Sequence, residues 1–158
     1  MQLTTIELHK EEMKFNAGHF TIFSATERER LHGHQFTVQA QITAEVGEGG
    51  ITFDYGIYKK KIIHLCRQLN EIFLIAGHSP YLNISRDDQY TYLTFNEEKI
   101  PFLEKDIFIL PIRNVTVEEL SQWFITQLTK NPKELEKHHI HEMTIKVFSS
   151  PGQSGSAS

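Results

Sequence analysis

The sequence is poor in cysteine: Cys66 is the only one among 158 residues. A single cysteine cannot form an intramolecular disulfide, so the chain is not a small disulfide-stapled secreted domain, and a reducing cytoplasm suits it best. Cys66 falls within a predicted helix, with no charged group evident nearby to activate it. We expect a buried structural thiol, and a nucleophilic role is the alternative.

The sequence also has no long apolar run, no signal-peptide pattern at its start and no excess of basic residues. No apolar stretch approaches the roughly 18 residues that a membrane-spanning helix needs. The first residues, MQLTTIELHKEEM, lack the basic and then apolar order of a signal peptide. The formal net charge of −4 gives no basic footprint for nucleic acid. We therefore expect a cytoplasmic protein that binds neither membranes nor nucleic acid.

Length and composition are those of a globular protein. Hydrophobic residues make up 39% and charged residues 23% of the chain, and no internal repeat is present. A chain of 158 residues has the length of one domain and can bury about two-thirds of its unfolded surface. We expect a single domain over residues 1–158. Around residues 80–110 the periodicity breaks into short segments, which predicts a short hairpin insertion with Tyr90–Phe95 as one arm.

Three histidines in two strand-like segments are the most informative residues. His32 and His34 are two residues apart, so on a strand they project from the same face. His19 ends the earlier segment FNAGH and shares the parity of its apolar residues. If the two strands pair, all three imidazoles lie on one side of the sheet. Three imidazoles with an open fourth position are typical of a catalytic zinc site, and ordinary surface histidines in a turn are the alternative.

The remaining periodicity predicts both helices and strands. Apolar residues alternate with uncharged polar ones from Gln35 to Thr43, which indicates one buried face and one face toward water or a polar lumen. A helix is expected after Asp54 and a second from Thr116 to about Lys130, where the first turn contains a capping box. A closing strand is expected at Met143–Ser149, followed by a frayed GQSGSAS end.

Five segments, in order along the chain, resemble the 6-pyruvoyl-tetrahydropterin synthase family: FNAGHF, RERLHGHQF, GGITFDYGIYKK, LPIRNVTVEEL and SSPGQSGS. The family includes the 6-carboxytetrahydropterin synthase of queuosine biosynthesis. The resemblance implies an α+β tunnelling fold, in which an antiparallel four-stranded sheet carries two helices on one face. It also implies a homohexamer, a dimer of trimers built as two stacked barrels, with the polar face of the second strand lining the barrel.

The resemblance also implies a chemistry for the histidines. His19, His32 and His34 would be ligands of Zn²⁺, and the metal would bind the side-chain hydroxyls of a dihydropterin and help them lose protons. Many members place a catalytic cysteine shortly before the HGH element, and this chain has none there. A subgroup of the family has a glutamate in this region, in a segment that resembles RERLH. Glu29 is therefore the candidate general base. A solvated loop charge between two arginines is the alternative.

The proton relay departs from the family pattern. Members usually carry Leu-Asp-His after the first helix, and the corresponding residues here are Leu69-Asn70-Glu71. Asn70 cannot act as the orienting carboxylate, so Glu71 would have to replace an imidazole. His78 lies seven residues further on and is a substitute if the loop folds back; a surface histidine is the simpler interpretation.

The pterin-binding positions also differ in part from the family pattern. The family ends the closing strand with a glutamate that binds the N–C–N edge of the pterin through a bidentate bond, and this chain has Ser149. Thr116 and Glu118 lie where the second pterin contact of the family is expected. Helix capping by Thr116 and a dipole-favoured acid at Glu118 explain the same two residues equally well.

A second group of histidines stands at His138-His139-Ile140-His141. His139 and His141 have strand spacing, which makes a second metal site conceivable. No third ligand is visible nearby in the sequence, so a polar loop leading into the last strand is the favoured interpretation.

Three functions follow from these observations. The first is a zinc-dependent pterin lyase or synthase that acts on the side chain of dihydroneopterin or its triphosphate and yields a 6-hydroxymethyl-, 6-carboxy- or 6-pyruvoyl-pterin. The second is a divergent or inactive family member that keeps zinc and binds another purine- or pterin-like ligand, which the altered Asp, His and Glu positions favour. The third is a structural or assembly module, which the three histidines disfavour.

Overall fold

A computed structural model describes residues 1–158, with ten β-strands, three α-helices and one turn of 3-10 helix at Glu104–Asp106. The strands are β1 (Leu3–Leu8), β2 (Lys14–His19), β3 (His32–Glu45), β4 (Ile72–Ala76), β5 (Asn83–Arg86), β6 (Thr91–Phe95), β7 (Glu98–Phe102), β8 (Ile107–Leu110), β9 (Ile140–Ser150) and β10 (Gln153–Ala157). The helices are α1 (Gly56–Gln68), α2 (Val117–Leu128) and α3 (Pro132–Lys137). None of the helices is long and apolar enough to cross a bilayer.

The long strand β3 organises the main sheet. Its first half pairs antiparallel with β2, its second half pairs with β1, and β9 lies along its other side. The complete order is β10-β9-β3-β2-β4-β8, with β1 off this path. Alternate residues of β3 from Phe36 to Ala44 are fully buried, whereas the residues between them are partly exposed. The alternation predicted for this strand is confirmed, and its apolar face packs against α1 and α2 in the larger hydrophobic core.

The prediction of a four-stranded sheet with two helices is wrong in the number of strands and in the number of helices, although the α+β class is right. The main sheet has seven strands, and β4 and β8 join it in parallel rather than antiparallel. Leu74 and Ala76 enter the larger core, while Ile75 enters a second hydrophobic cluster on the opposite face. A strand covered on both faces is apolar at every position, so it shows no alternation that sequence periodicity could detect.

Helix α3 is the third helix that the prediction lacked. It follows α2 almost directly: the Asn131 side chain accepts a hydrogen bond from the Lys133 N–H and caps the new helix. Proline is well suited to the first helical position because its missing N–H would be unpaired there anyway.

The expected frayed end is also wrong. Residues Gln153–Ala157 form β10, which pairs antiparallel with β9 and packs on the start of α2. A Cβ atom at Gly155 would lie 3.0 Å from the backbone nitrogen of Glu118, so glycine allows this close approach. The polar GQSGSAS composition is typical of a flexible end, but here the small residues fit against a helix.

Helix α1 begins as expected just after Asp54, whose carboxylate accepts a hydrogen bond from the Gly56 N–H at 2.9 Å. Cys66 lies on the inner face of this helix and is fully buried. Burial raises the pKa of its thiol to about 12. The buried structural thiol is therefore confirmed, since a protonated, inaccessible sulfur is a poor nucleophile.

Only half of the capping box predicted for α2 forms. The Thr116 hydroxyl accepts a hydrogen bond from the Glu119 N–H at 3.2 Å, as an N-cap residue should. The Glu119 carboxylate does not reach back to Thr116. It accepts hydrogen bonds from the backbone and guanidinium of Arg113 instead.

The predicted hairpin is present within a separate three-stranded sheet, β5-β6-β7. Asn96 and Glu97 form its turn with φ of 47° and 69°, the left-handed conformation that a tight hairpin turn requires. This sheet packs over the second hydrophobic cluster, which includes Phe20 and Ile22 from the segment after β2. That the hairpin is an insertion stays a prediction.

Candidate metal centre and active site

The β2–β3 register brings three imidazoles together. His19 is directly opposite His32, and Ala17 is opposite His34, so all three histidines project from one face of the sheet. One nitrogen from each ring lies within 4.8 Å of the other two, and the Nε2 atoms of His32 and His34 are 3.0 Å apart. Two nitrogens bound to one tetrahedral zinc at 2.0–2.1 Å lie about 3.3 Å from each other. The His32–His34 spacing is therefore close to that of two ligands of one zinc ion, and His19 lies near enough to be the third.

Backbone carbonyls orient two of the rings. The Nδ1 atom of His19 donates to the Val115 carbonyl at 2.8 Å, and Nδ1 of His32 donates to the Arg30 carbonyl at 2.7 Å. Because a carbonyl only accepts, each Nδ1 carries the proton and each Nε2 presents its lone pair to the centre. Histidine ligands of metals are held in this way by an outer hydrogen bond. The donor set and its orientation fit zinc.

The Nε2 atom of His19 is buried and has no hydrogen-bond partner. An unpaired buried polar atom is destabilising unless something binds it. Burial lowers the pKa of His19, as do the nearby His32 and His34, against the opposing effect of the Val115 carbonyl. The ring is thus held neutral, which is the protonation state that coordinates a metal.

An open pocket of about 400 Å³ contains the three histidines and most of the other predicted site residues. It is lined by His19, His32, His34, Glu29, Thr116, Glu118 and Ser149, among others. Strands β2 and β3 supply the imidazoles, the segment after β2 supplies Glu29, and the first turn of α2 supplies Glu118. Residues far apart in the chain therefore meet in one cavity.

Glu29 is held in place beside the histidines. Its Oε1 accepts a hydrogen bond from the Thr21 N–H at 2.9 Å, and its Oε2 lies 4.0 Å from Nε2 of His32. Burial by itself raises the pKa of Glu29, but hydrogen bonding from Thr21 and the nearby His32 outweigh it and hold the pKa below its ordinary value. The carboxylate is ionised at neutral pH and fixed by the backbone, unlike a freely solvated loop charge.

Thr116 and Glu118 occupy the rim of the pocket at the start of α2. Thr116 caps the helix, so the structural interpretation of this residue is confirmed. Glu118 is exposed, forms no salt bridge, and lines the pocket with its carboxylate unpaired. An acid in the first turn is favoured by the helix dipole, and here it also adds negative charge to the cavity.

Glu71 and His78 do not line this pocket. Glu71 follows α1 with φ of 56° and borders a neighbouring cavity of about 530 Å³, which His34 also touches. His78 borders a third cavity, beside Glu119 and Trp123. Neither residue is brought together with Glu29 in a single cavity.

Several groups in the site were not foreseen from the sequence. The carbonyls of Val115 and Arg30 orient the rings, and the Thr21 N–H holds Glu29. These are backbone atoms, so no residue type identifies them. Phe23 and Gln153 also line the pocket, and only their place next to the predicted elements could have indicated it.

The second histidine group does find an acidic neighbour. His141 Nε2 lies 2.8 Å from Oε1 of Glu45, and His139 Nδ1 lies 3.9 Å from Oε2 of the same carboxylate. The only three-residue group whose possible ligand atoms all lie within 4.8 Å is the first one. The second metal site is therefore not supported, and His139 and His141 lie in an exposed polar cluster with Glu45.

Comparison with known proteins places the chain in a family. The sequence model described as 6-pyruvoyl tetrahydropterin synthase matches residues 7–157, nearly the whole chain. The chain belongs to the 6-pyruvoyl tetrahydropterin synthase family. This is a family of lyases that act on pterin substrates and process their side chains.

Solved structures of this family are similar over almost their full length. The 6-pyruvoyl tetrahydropterin synthase of Plasmodium vivax has a TM-score of 0.94 and 26% identity, with 99% of this chain and 98% of that chain covered. The Plasmodium falciparum enzyme has a TM-score of 0.92 and 26% identity, with 98% and 96% covered. A variant of the Plasmodium vivax enzyme with a catalytic glutamate replaced by alanine also matches, with a TM-score of 0.93 and 25% identity.

A sequence relative has a related activity assigned. A 6-carboxy-5,6,7,8-tetrahydropterin synthase candidate from Methanocaldococcus jannaschii is 21% identical over 142 residues, which cover 89% of this chain and 86% of the relative. Two different pterin synthase activities are thus named among the proteins similar to this chain.

Proposed function

We propose that the protein is a zinc-dependent pterin lyase that acts on the side chain of dihydroneopterin or its triphosphate. In this proposal His19, His32 and His34 hold the metal and Glu29 is the general base. The observation that carries it is the shared pocket, in which the Glu29 carboxylate lies 4.0 Å from a histidine of the triad. The similar Plasmodium vivax enzyme, in which a catalytic residue is also a glutamate, supports this assignment.

His19, His32 and His34 would hold Zn²⁺, which would supply Lewis-acid chemistry that makes a hydroxyl of the substrate easier to deprotonate. Glu29 supplies the proton acceptor. Its Oε1 is already occupied by the Thr21 N–H, so Oε2, which faces the histidines, is the oxygen free to take a proton from the substrate side chain. The hydrogen bonds from Thr21 fix the carboxylate in advance, which lowers the entropic cost of reaching the productive geometry.

We assign pterin binding to Thr116 and Glu118. The N–C–N edge of a pterin presents two N–H donors, and a carboxylate can accept both at once. Ser149, at the end of β9, lines the pocket but carries no charge. The Glu118 carboxylate is therefore the anionic group available for this edge, while Thr116 contributes its hydroxyl in addition to capping α2.

Three further features complete the proposal. We propose that the protein is a homohexamer, as the family resemblance implies, and that it lies in the cytoplasm, which suits a chain with a single cysteine. Glu71 is a candidate for the proton relay that reaches the substrate through the cavity that it shares with His34. Because Glu71 lies outside the pocket of Glu29, we expect Glu71→Gln to lower kcat less than Glu29→Gln.

A second candidate function is a zinc-bound family member that binds a purine- or pterin-like heterocycle without turning it over. The neutral Ser149 in the pocket and the position of Glu71 outside it favour this alternative. Both functions predict bound zinc, so turnover distinguishes them.

The test is incubation of the zinc-loaded protein with dihydroneopterin and with its triphosphate, followed by separation and mass analysis of the products. We expect a pterin with a shortened or rearranged side chain. Glu29→Gln should lower kcat by about 100-fold or more, as expected for loss of a general base, with zinc content unchanged. Glu27→Gln is the matched control, because Glu27 is an exposed acid on the same segment, and its kcat should stay near wild type.

The outcomes are distinct. Bound zinc with pterin binding but no product supports the second candidate and overturns the first. Turnover that Glu29→Gln leaves unchanged keeps the lyase activity but removes Glu29 as its base.

A further inference from the structure

The segment that carries Glu29 lies between β2 and β3 and is held by few regular hydrogen bonds. A single bridge pairs Ile22 with Arg28, and the Glu29 N–H donates to the Thr21 carbonyl at 2.8 Å. Phe20 and Ile22 anchor the segment in the second hydrophobic cluster, where they meet Leu93 and Phe95 of β6. The Asn114 side chain also hydrogen-bonds both backbone groups of Ile22. The position of the base thus depends on these hydrogen bonds together with packing against the three-stranded sheet.

Arg28 connects this sheet to Glu29. Its guanidinium lies 5.3 Å from the ring centre of Phe20 and 5.8 Å from that of Phe95. At the same time its Nη1 donates to the backbone carbonyl of Glu29 at 2.9 Å. One side chain therefore joins β6, the start of the segment and the residue that bears the carboxylate.

Arg28 is not an ion-pair partner of a carboxylate. The guanidinium forms no salt bridge with any carboxylate, although Glu27 and Glu29 are its neighbours in the chain. It binds the main chain of Glu29 and leaves the carboxylate oxygens to Thr21 and the pocket. Arg28 therefore acts on the position of the Glu29 carboxylate and does not pair with its charge.

We propose that Arg28 is a positioning residue for Glu29, with Phe20 and Phe95 holding the guanidinium in place. The assignment rests on the proposed function, in which Glu29 accepts the proton. Both backbone groups of Glu29 are then fixed, the N–H by Thr21 and the carbonyl by Arg28. A misplacement of about 1 Å at a reacting group can lower a rate by about 100-fold, so this support matters for turnover.

Arginine is better suited to this role than lysine. A guanidinium is planar, so its face can contact aromatic rings while its edge donates a hydrogen bond in a fixed direction. An ammonium keeps the charge but lacks both the flat face and the fixed donor geometry. We expect activity to decrease in the order wild type, Arg28→Lys, Arg28→Ala.

The kinetic test uses zinc-loaded protein and compares Arg28→Ala, Arg28→Lys and Arg86→Ala. We expect Arg28→Ala to lower kcat by about 10- to 100-fold with little change in KM and unchanged zinc content, and Arg28→Lys to recover part of the loss. Arg86 is an exposed arginine of β5 with no such contacts, so its variant controls for the loss of one positive charge. A kcat for Arg28→Ala within twofold of wild type, or a loss that only follows the loss of zinc, overturns the proposal.

Amide hydrogen exchange tests the same inference without turnover. The N–H groups of Thr21 and Glu29 are the probes, because both form hydrogen bonds that fix Glu29. They should exchange about tenfold faster or more in Arg28→Ala and in Phe95→Leu, but not in Arg86→Ala. If the wild-type protein turns over no pterin, the proposed function fails and exchange alone decides the role of Arg28. Unchanged protection in Arg28→Ala would then refute it.

Discussion

Two groups of three histidines lie at opposite ends of this chain, and they have different surroundings. His19, His32 and His34 converge in a pocket, whereas His138, His139 and His141 precede and begin β9. Each group has a carboxylate nearby: Glu29 lies 4.0 Å from His32, and Glu45 lies 2.8 Å from His141. Composition and local spacing therefore do not distinguish them.

Burial and orientation do distinguish them. His19 is 5% exposed and its ring is fixed by a carbonyl, whereas the side chain of His139 is 68% exposed. His138 turns away and packs against the rings of Phe53 and Tyr58. Convergence of three imidazoles thus depends on cross-strand register and outer hydrogen bonds, and a high local density of histidine is not sufficient for it.

The largest effect that separates the two groups is expected for metal binding. His19→Ala removes a ligand that the protein holds in advance, so zinc affinity should fall by more than about 100-fold and activity with it. His141→Ala removes an exposed hydrogen-bond partner of Glu45 and should leave zinc content and activity near wild type. Zinc titration of both purified variants is the measurement, and equal losses in the two would abolish the distinction.

The next effect concerns substrate binding beside the first group. Glu118→Gln keeps the shape of the side chain but removes the charge that would accept two hydrogen bonds from the pterin edge. A hydrogen bond to a charged group contributes about 1.5–3 kcal/mol, so KM or the pterin Kd should rise by about 10-fold or more. Glu45→Gln, beside the second group, should change neither value. Fluorescence titration with a dihydropterin measures the difference, and unchanged affinity in Glu118→Gln would remove this residue from the binding surface.

A smaller effect is expected for the ion pair of Arg113 and Glu119, which is joined by two side-chain hydrogen bonds, whereas Glu45 and His141 share one. Hydrogen bonds from Arg113 hold the pKa of Glu119 below its ordinary value of 4.5, against the opposing effect of burial. A carboxylate whose pKa is lowered by folding stabilises the folded state at every pH above its ordinary pKa. This contribution is lost as the pH falls through the lowered pKa. Glu119→Gln should therefore destabilise the protein at pH 7 by about 1 kcal/mol or less, because the partner faces solvent.

Urea unfolding at several pH values measures this contribution. The difference between wild type and Glu119→Gln should shrink as the pH falls below about 4. A difference that is constant from pH 7 to pH 3 would mean that the charge on Glu119 does not contribute.

The smallest effect concerns the two buried side-chain atoms that lack hydrogen-bond partners, Nε2 of His19 and the hydroxyl of Tyr58. The site explains the first, but nothing in the structure explains the second. Tyr58→Phe removes an unsatisfied hydroxyl without leaving a cavity, so stability should stay the same or rise by up to about 1 kcal/mol. A thermal unfolding scan shows this, and a clear loss of stability would reveal a partner for the Tyr58 hydroxyl.

The sequence predicts local periodicity well and tertiary pairing in part. The β2–β3 pair was predictable because its histidines and apolar residues share one parity, and this placed the triad correctly. Strands β4 and β8 were not predictable, because a strand buried on both faces has no alternation of apolar and polar residues. The β10 strand was missed because its small polar residues are typical of a loose end until a helix is present to pack on.

The site shows the same division. Family resemblance and spacing indicated the triad, Glu29, Thr116 and Glu118, and the structure brings them to one pocket. It does not bring Glu71 there. The carbonyls of Val115 and Arg30 and the support from Arg28 were not predictable, because they depend on which segments the tertiary fold places side by side.

The most direct test of the account is zinc K-edge X-ray absorption on the protein loaded with one equivalent of Zn²⁺, with the His32→Ala and His139→Ala variants as a matched pair. We predict three imidazole nitrogens at about 2.0–2.1 Å and one oxygen in the wild type. The His139→Ala spectrum should be the same, and the His32→Ala spectrum should lose an imidazole. A spectrum that changes with His139 but not with His32, or one with fewer than three imidazoles in the wild type, would contradict the assignment of the metal centre.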